Sequence, residues 1–239
     1  MVDLKGKVVV IPGADGGVGR EVVKMLGAMG AKVVLGSFVE EGIKEMAQNL
    51  KSQGCEAAYH LVDVTKENAV KEFLAFAYDT FGSLDILLNL PGVSIPAAIS
   101  EMSEEDYDTT MDVSVKGSFL MSKHFVQYAH TENSPLIINI GSMASKNANG
   151  NAPIYCTAKA AVVMFSKGLA IQLKSKNIRV TSINPGGIST AFWGDRKVPH
   201  DKFMQVQDMA EALIFTMTRN SHVMITDLAF ESFEMFKGN

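Results

Sequence analysis

Seven short apolar runs, separated by helix-length amphipathic segments, constrain this chain more than any other feature. The runs are "KVVVI" (7–11), "AKVVL" (31–35), "AAYHLV" (57–62), "LDILLNL" (84–90), "LIINI" (136–140), "RVTSI" (179–183) and "HVMITDL" (222–228). Between them, apolar residues recur at helical spacing over roughly 17–29, 40–53, 66–81, 103–131, 153–175 and 207–219. Several runs are apolar almost throughout, the pattern of a parallel strand covered on both faces. Strand and helix in alternation require crossover connections of one hand. The expected fold is therefore α/β, a doubly wound seven-stranded parallel sheet with helices on both faces.

Local punctuation agrees with that layout. Ser103 with Asp106 resembles a helix-capping pair, and Pro153 suits a first helical turn. No Pro/Ser-rich linker, repeat or low-complexity tract divides the 239 residues, so a single domain over 1–239 is expected. The longest stretch without a clear element is 184–206, rich in Gly and Pro. A loop of that length inside a compact domain is usually functional, and residues 191–207 are expected to form a short substrate-binding lid.

Bulk properties exclude several classes of function. The chain is 47% hydrophobic and 20% charged, enough for a buried core. A formal net charge of −4, with no Lys/Arg run, argues against a nucleic-acid surface. Cys55 and Cys156 lie far apart without CxxC spacing, as in a reducing compartment. The five histidines form no HxxxH pair and no cluster with cysteine, so no metal is expected. The start, "MVDLKGKVVVIPG", holds an apolar run too short for a signal peptide or a membrane span. A soluble cytoplasmic protein without membrane or nucleic-acid partners is the expectation.

After the first run comes "PGADGGVGREVV". The spacing GxGxxG fails here, because Val22 stands where a third glycine belongs. GxxxGxG fits instead, with Gly13, Gly17 and Gly19. Glycines permit unusual φ values and let a pyrophosphate approach the backbone amides at a helix N-terminus. Placed after strand one of a βαβ series, the turn points to a dinucleotide. The end of the second strand normally reads the adenosine ribose, with an acid for a 2′-hydroxyl or a base for a 2′-phosphate. Ser37 and Phe38 stand there, and neither is charged. A serine repels no phosphate and can donate to one, so NADP(H) is weakly favoured over NAD(H).

"INIGSMAS" places Ser142 just past the fifth run, at the sheet edge where open α/β sheets keep their ligands. "PIYCTAK" then sets Tyr155 and Lys159 four apart, on one helical face. Each alone reads as a turn cap or a surface pair. Together they form a phenol beside a fixed charge. At about 4 Å and an effective dielectric of about 20, an ammonium favours the phenolate by roughly 4 kcal/mol, or about three pKa units. That would make Tyr155 a usable proton donor, with Ser142 holding a carbonyl oxygen.

With these pieces the chain resembles the short-chain dehydrogenase/reductase family over nearly all its length, and its carbonyl-reductase members in the ending "HVMITDLAFESF". The matching motifs are "GADGGVG", "LVDV" at 61–64, "NLPG" at 89–92, "GSMAS", "YCTAK" and "NPGGIST" at 184–190. The resemblance implies a Rossmann fold and cofactor binding by Gly13, Asp15, Gly17, Val18 and Gly19. It further implies adenine contacts from Asp63 and Val64, and adenosine and ribose contacts from Asn89 and Gly92. Pro185, Gly186, Ile188 and Thr190 would hold the nicotinamide side, and Lys159 the nicotinamide ribose. It also implies homodimers or homotetramers built on the two long helices, where Ala160, Val163, Met164, Phe165 and Leu169 form an apolar series.

Three positions depart from the family. Its usual Thr before the first glycine is Pro12, its "NNAG" reads "NLPG", and its helix Asn aligns with Ser114. That Asn positions a water in the proton relay behind the lysine, so Ser114 is the expected relay residue here, with a shorter side chain. Met143, Phe192, Trp193 and Met204 are candidates to face substrate, and Cys156 is expected to be a small helix residue. The expected activity is an NAD(P)-dependent oxidoreductase on a small carbonyl or secondary alcohol, with Ser142, Tyr155, Lys159 and Ser114 in the machinery. The alternative is a low-activity dinucleotide-binding sensor or oligomeric partner.

Overall fold

In a computed structural model of the protein, which describes residues 1–236, the seven runs become seven strands. They are β1 (Val8–Pro12), β2 (Lys32–Ser37), β3 (Ala57–Leu61), β4 (Ile86–Asn89), β5 (Leu136–Ile140), β6 (Arg179–Pro185) and β7 (Asp227–Phe230). The final three residues of the expected 1–239 domain lie outside the described residues. Every strand pair is parallel, and the sheet order is β3-β2-β1-β4-β5-β6-β7. The order reverses between β1 and β4, which opens a crevice at their C-terminal ends.

Among the described residues, seven α-helices cover the sheet: α1 (Gly17–Ala28), α2 (Glu40–Ser52), α3 (Glu67–Phe81), α4 (Glu104–Met111), α5 (Gly117–Tyr128), α6 (Pro153–Leu173) and α7 (Val206–Met217). Strand alternation sorts the core into two layers. Val9 and Ile11 of β1 pack with α1, α2 and α7, whereas Val8 and Val10 pack with α3, α5 and the end of α6. Phe73 and Phe125 are fully buried in the second layer. Truncating either to Ala would cost about 3–5 kcal/mol.

Two expected elements differ. The long helix over 103–131 runs from Glu104 to Tyr128 and contains a π-helical turn at Asp112–Lys116. The last strand begins at Asp227, not at residue 222. Asp227 is the first residue in register with β6, opposite Ser182. Val223, Met224 and Ile225 instead gather over Arg179 and Thr181 at the start of β6. Ser103 caps α4 by accepting from the Asp106 N–H at 3.0 Å, and Pro153 does open α6. Among the described residues, Pro153–Lys176 is the one helix apolar and long enough to cross a membrane. It lies against β5 and β6, and it carries Tyr155 and Lys159.

Candidate active site

The glycine turn is shaped by close approach. Gly13 has φ +74°, and a Cβ there would meet Pro91 N at 3.2 Å. A Cβ on Gly19 would lie 2.5 Å from the Ala14 carbonyl oxygen. The Gly13 and Ala14 N–H groups donate to the Gly36 carbonyl at 2.8 and 3.1 Å, which ties the turn to β2. Pro12 therefore costs the turn none of these bonds. The N-terminus of α1 has no side-chain cap and no acid in its first turn. Its free N–H groups and positive dipole end suit an anion such as a pyrophosphate.

A cavity of about 630 Å³ opens over the crevice, within the range of cofactor and ligand sites. Ser37, Phe38, Asp63 and Val64 line one end. Gly13, Asp15, Gly17, Val18 and Gly19 line the middle, with Gly92 opposite. Ser142, Tyr155, Lys159, Pro185, Gly186, Ile188 and Thr190 close the other end. The fold thus gathers nearly all the expected residues into one space. The Asp63 carboxylate accepts from the Thr65 N–H and hydroxyl through one oxygen, which leaves the other free. Phe38 is 80% exposed at the rim.

Asn89 and Ser114 are not among the lining residues. Asn89 ends β4 opposite Asn139, and its amide donates to Asn139 Oδ1 at 2.7 Å. Asn139 passes the chain to Ser166 Oγ at 2.9 Å on α6. Asn89 therefore belongs to a buried polar chain through the sheet, and its side chain does not line the cavity. Ser114 is fully buried within the π turn, with no protein partner for Oγ, while its carbonyl accepts from Ser118 Oγ at 2.7 Å. Thr109 and Val113, on the same helical stretch, reach the cavity instead.

Tyr155 sits in the first turn of α6, and Lys159 follows one turn later. Lys159 is 3% exposed, and Nζ donates to the Ile140 carbonyl at 2.8 Å. A Cβ on Gly92 would lie 2.9 Å from that Nζ, so any other residue there would crowd the lysine. Burial lowers the Lys159 pKa to about 8. Burial raises that of Tyr155, Ser142 opposes the rise, Cys156 adds to it and Arg196 opposes it. This reverses the expected electrostatics. The ammonium lies 5.9 Å from the Tyr155 ring centre and is directed at a carbonyl, so desolvation of the phenol wins.

Ser142 does two things at once. Its Oγ accepts from the Ala144 N–H at 3.1 Å, capping a 3-10 turn at Met143–Ser145, and it also faces the cavity. The segment 191–207, expected as a lid, is held by contacts within itself and with the residues just after β6. Ile188 and Met204 pair across its base, and Trp193 Nε1 donates to the Ile188 carbonyl at 2.7 Å. Phe192 and Trp193 line the cavity, whereas Met143 and Met204 do not. Cys156 Sγ accepts from the Asn149 N–H at 3.3 Å and stays outside the lining.

Two charged residues escaped the sequence reading. Arg20 Nε donates to the Asp15 carbonyl at 2.9 Å, and Nη2 lies 2.9 Å from where a Gly42 Cβ would stand. A guanidinium therefore flanks the first turn of α2, just beyond Ser37 and Phe38. Asp227 accepts from Asn184 Nδ2 at 2.6 Å and pairs with Lys146 at 3.2 Å, joining the end of β6 to the Ser142 turn. The approach of Arg20 to Gly42 and the contacts of Asp227 join residues far apart in sequence, and no local pattern announces them.

Known proteins share this fold. The profile of the short chain dehydrogenase family matches residues 7–199. An uncharacterized oxidoreductase of Staphylococcus aureus strain MRSA252 is 31% identical over 228 residues, covering 95% of this chain and 98% of that protein. An uncharacterized oxidoreductase of Staphylococcus saprophyticus is 32% identical over 229 residues, covering 95% and 98%. The fold matches that of an alcohol dehydrogenase from the archaeon Thermococcus sibiricus, complexed with 5-hydroxy-NADP. There the TM-score is 0.89 at 24% identity, covering 98% of this chain and 99% of that one. It also matches a short chain dehydrogenase from Burkholderia cenocepacia J2315 in complex with NADP, with a TM-score of 0.89 at 22% identity, covering 97% and 99%. The profile match and the relatives above 30% identity along nearly the whole chain establish that this oxidoreductase belongs to the short-chain dehydrogenase family.

Proposed function

We propose that the protein transfers hydride between a nicotinamide dinucleotide and a small carbonyl or secondary alcohol, with Tyr155 as general acid or base. The observation that carries this reading is the convergence of Ser142, Tyr155 and Lys159 on one end of a cavity that begins at an uncapped helix N-terminus. The glycine turn, Asp63 and the Ile188–Thr190 segment suit such a cofactor, which when bound supplies or accepts the hydride. Ser142 Oγ accepts from the Ala144 N–H and its hydroxyl lies within hydrogen-bonding reach of Tyr155, so a carbonyl oxygen placed between the two would take that hydroxyl's hydrogen. Tyr155 then gives that oxygen its proton, and Lys159, one helical turn on and held by the Ile140 carbonyl, stands behind it at the same end of the cavity. Ser114 serves the proton path behind Lys159.

NADP(H) is favoured over NAD(H). Ser37 Oγ accepts from the Val39 N–H at 3.0 Å and keeps its hydrogen for an acceptor, and Arg20 stands close by. The NADP compounds in the two similar structures support the same choice. The active form is a cytoplasmic homodimer or homotetramer. Met164 and Ile171 on α6 are 68% and 80% exposed, apolar surface that a second copy would cover. Val163 of the expected apolar series is buried within the protomer instead.

The test is Tyr155→Phe against a panel of ketones and aldehydes, read by NADPH oxidation. Turnover is expected to fall by at least about 10²-fold, with NADPH binding retained. Wild-type rates in the variant would remove Tyr155 from the chemistry. The raised Tyr155 pKa favours the second reading, a dinucleotide-binding sensor with little turnover. Tight NADPH binding by the wild type without turnover on any carbonyl would select it.

A further inference from the structure

Just behind the rings of Phe192 and Trp193, and outside the cavity lining itself, residues 191–207 hold a guanidinium that forms no ion pair among the described residues. Arg196 Nε donates to the Trp193 carbonyl at 2.7 Å, and Nη2 donates to the Phe192 carbonyl. Nη1 faces Ser94 Oγ at 3.5 Å, on the loop that crosses from β4. The Arg196 Cζ lies 5.3 Å from the Phe192 ring centre and 5.0 Å from that of Trp193. Both rings line the cavity, and the Phe192 ring is 6.0 Å from the Tyr155 ring. Among the described residues no ion pair includes Arg196.

The remaining charges around the cavity sharpen the point. Its lining acids, Asp15 and Asp63, stand at the glycine turn and at the Ser37 end. The end holding Ser142, Tyr155, Phe192 and Trp193 has Lys159 as its lining charge and no carboxylate. Arg196 is near enough for its charge to favour the Tyr155 phenolate. A guanidinium has five N–H donors in a planar fork, so contacts to two carbonyls and a hydroxyl leave donors over. That fork matches a carboxylate.

We infer that Arg196 determines substrate class, selecting oxo acids, and in reverse the matching hydroxy acids, whose carboxylate lies a few carbons from the reacting carbonyl. This rests on the oxidoreductase reading above. The carboxylate would meet Arg196 behind the Phe192 and Trp193 rings while the carbonyl meets Ser142 and Tyr155, so the aromatic rings between them set the chain length. Arg196 is half-buried, and water around it screens the pairing well below the strength of a fully enclosed one. A structural clasp between the lid and Ser94 would act on charged and neutral substrates alike.

The test uses the full chain with NADPH and three oxo acids of increasing length: 3-oxobutanoate, 4-oxopentanoate and 5-oxohexanoate. Each is assayed beside its methyl ester, with wild type, Arg196→Gln and Arg196→Lys. At the best-fitting length the wild type is expected to favour acid over ester in kcat/KM by about tenfold, equivalent to about 1.4 kcal/mol. Most of the preference should lie in KM. Arg196→Gln should bring the ratio near one, and Arg196→Lys should keep part of it. Equal kcat/KM for acid and ester at every length, or a ratio that survives Arg196→Gln, overturns the assignment and leaves the oxidoreductase reading standing. A raised KM for NADPH in Arg196→Gln with an unmoved acid-to-ester ratio would assign the residue to the cofactor, and overturns it too. Wild type that reduces neither acids nor esters overturns the assignment, and turnover on the neutral ketones and aldehydes of the earlier panel decides the oxidoreductase reading separately.

Discussion

Lys159→Met tests the electrostatics of the site without needing a substrate. The unfolded lysine titrates near 10.5, and burial brings the folded one to about 8. Between those values the unfolded chain holds a proton that the folded chain has released, so stability rises with pH across this window. Below about pH 8 the folded chain must bury the ammonium, and the full penalty is present. A shift of about 2.5 units at about 1.36 kcal/mol each makes that penalty about 3 kcal/mol. Raising the pH from 7 to 9.5 should relieve about 2 kcal/mol of it. The assay is urea unfolding by far-UV circular dichroism at pH 7, 8, 9 and 9.5, for wild type and variant. The exposed lysines cancel in the difference, which should move in favour of wild type as pH rises. A flat difference would refute the burial argument. A difference that moves against wild type would mean the ammonium is stabilised by a Tyr155 phenolate, the picture that helical spacing alone suggests.

Three further outcomes are expected. Gly19→Ala forces a Cβ to within 2.5 Å of a backbone oxygen. It should cost about 1–3 kcal/mol and weaken NADPH binding, as read by scanning fluorimetry and NADPH titration; an unchanged melting temperature and affinity would refute the packing argument. Arg20→Ala should weaken NADPH several-fold more than NADH, and equal changes in the two dissociation constants would detach Arg20 from the 2′-phosphate. Ser114→Ala removes a buried hydroxyl that has no protein partner, so stability should hold while turnover at saturating NADPH falls by less than about 10²-fold. Wild-type turnover at every pH would make residue 114 structural.

The alternation of strand and helix was legible in the chain because each element buries one face, and burial writes a period of two or 3.6 into the residues that form it. The glycine turn was legible for a related reason: only a residue without Cβ tolerates Gly13's positive φ and Gly19's contact with Ala14. Ser142, Tyr155 and Lys159 followed from position, at the C-terminal edge of a strand and one helical turn apart. Tertiary structure decided what depends on distant partners. Asn89 turns inward because register sets it opposite Asn139, fifty residues away. The last strand starts at Asp227 because Asn184 and Lys146 meet there, and the apolar residues just before it cover Arg179 instead. Arg20 and Arg196 lie in segments whose local pattern says only that they are charged, and folding brings one to the start of α2 and the other against two rings that line the cavity. The direction of the Tyr155 shift belongs to the same class. Spacing places a lysine beside the phenol, but the depth of burial and the carbonyl that holds the ammonium decide which effect wins, and neither is a property of residues four apart.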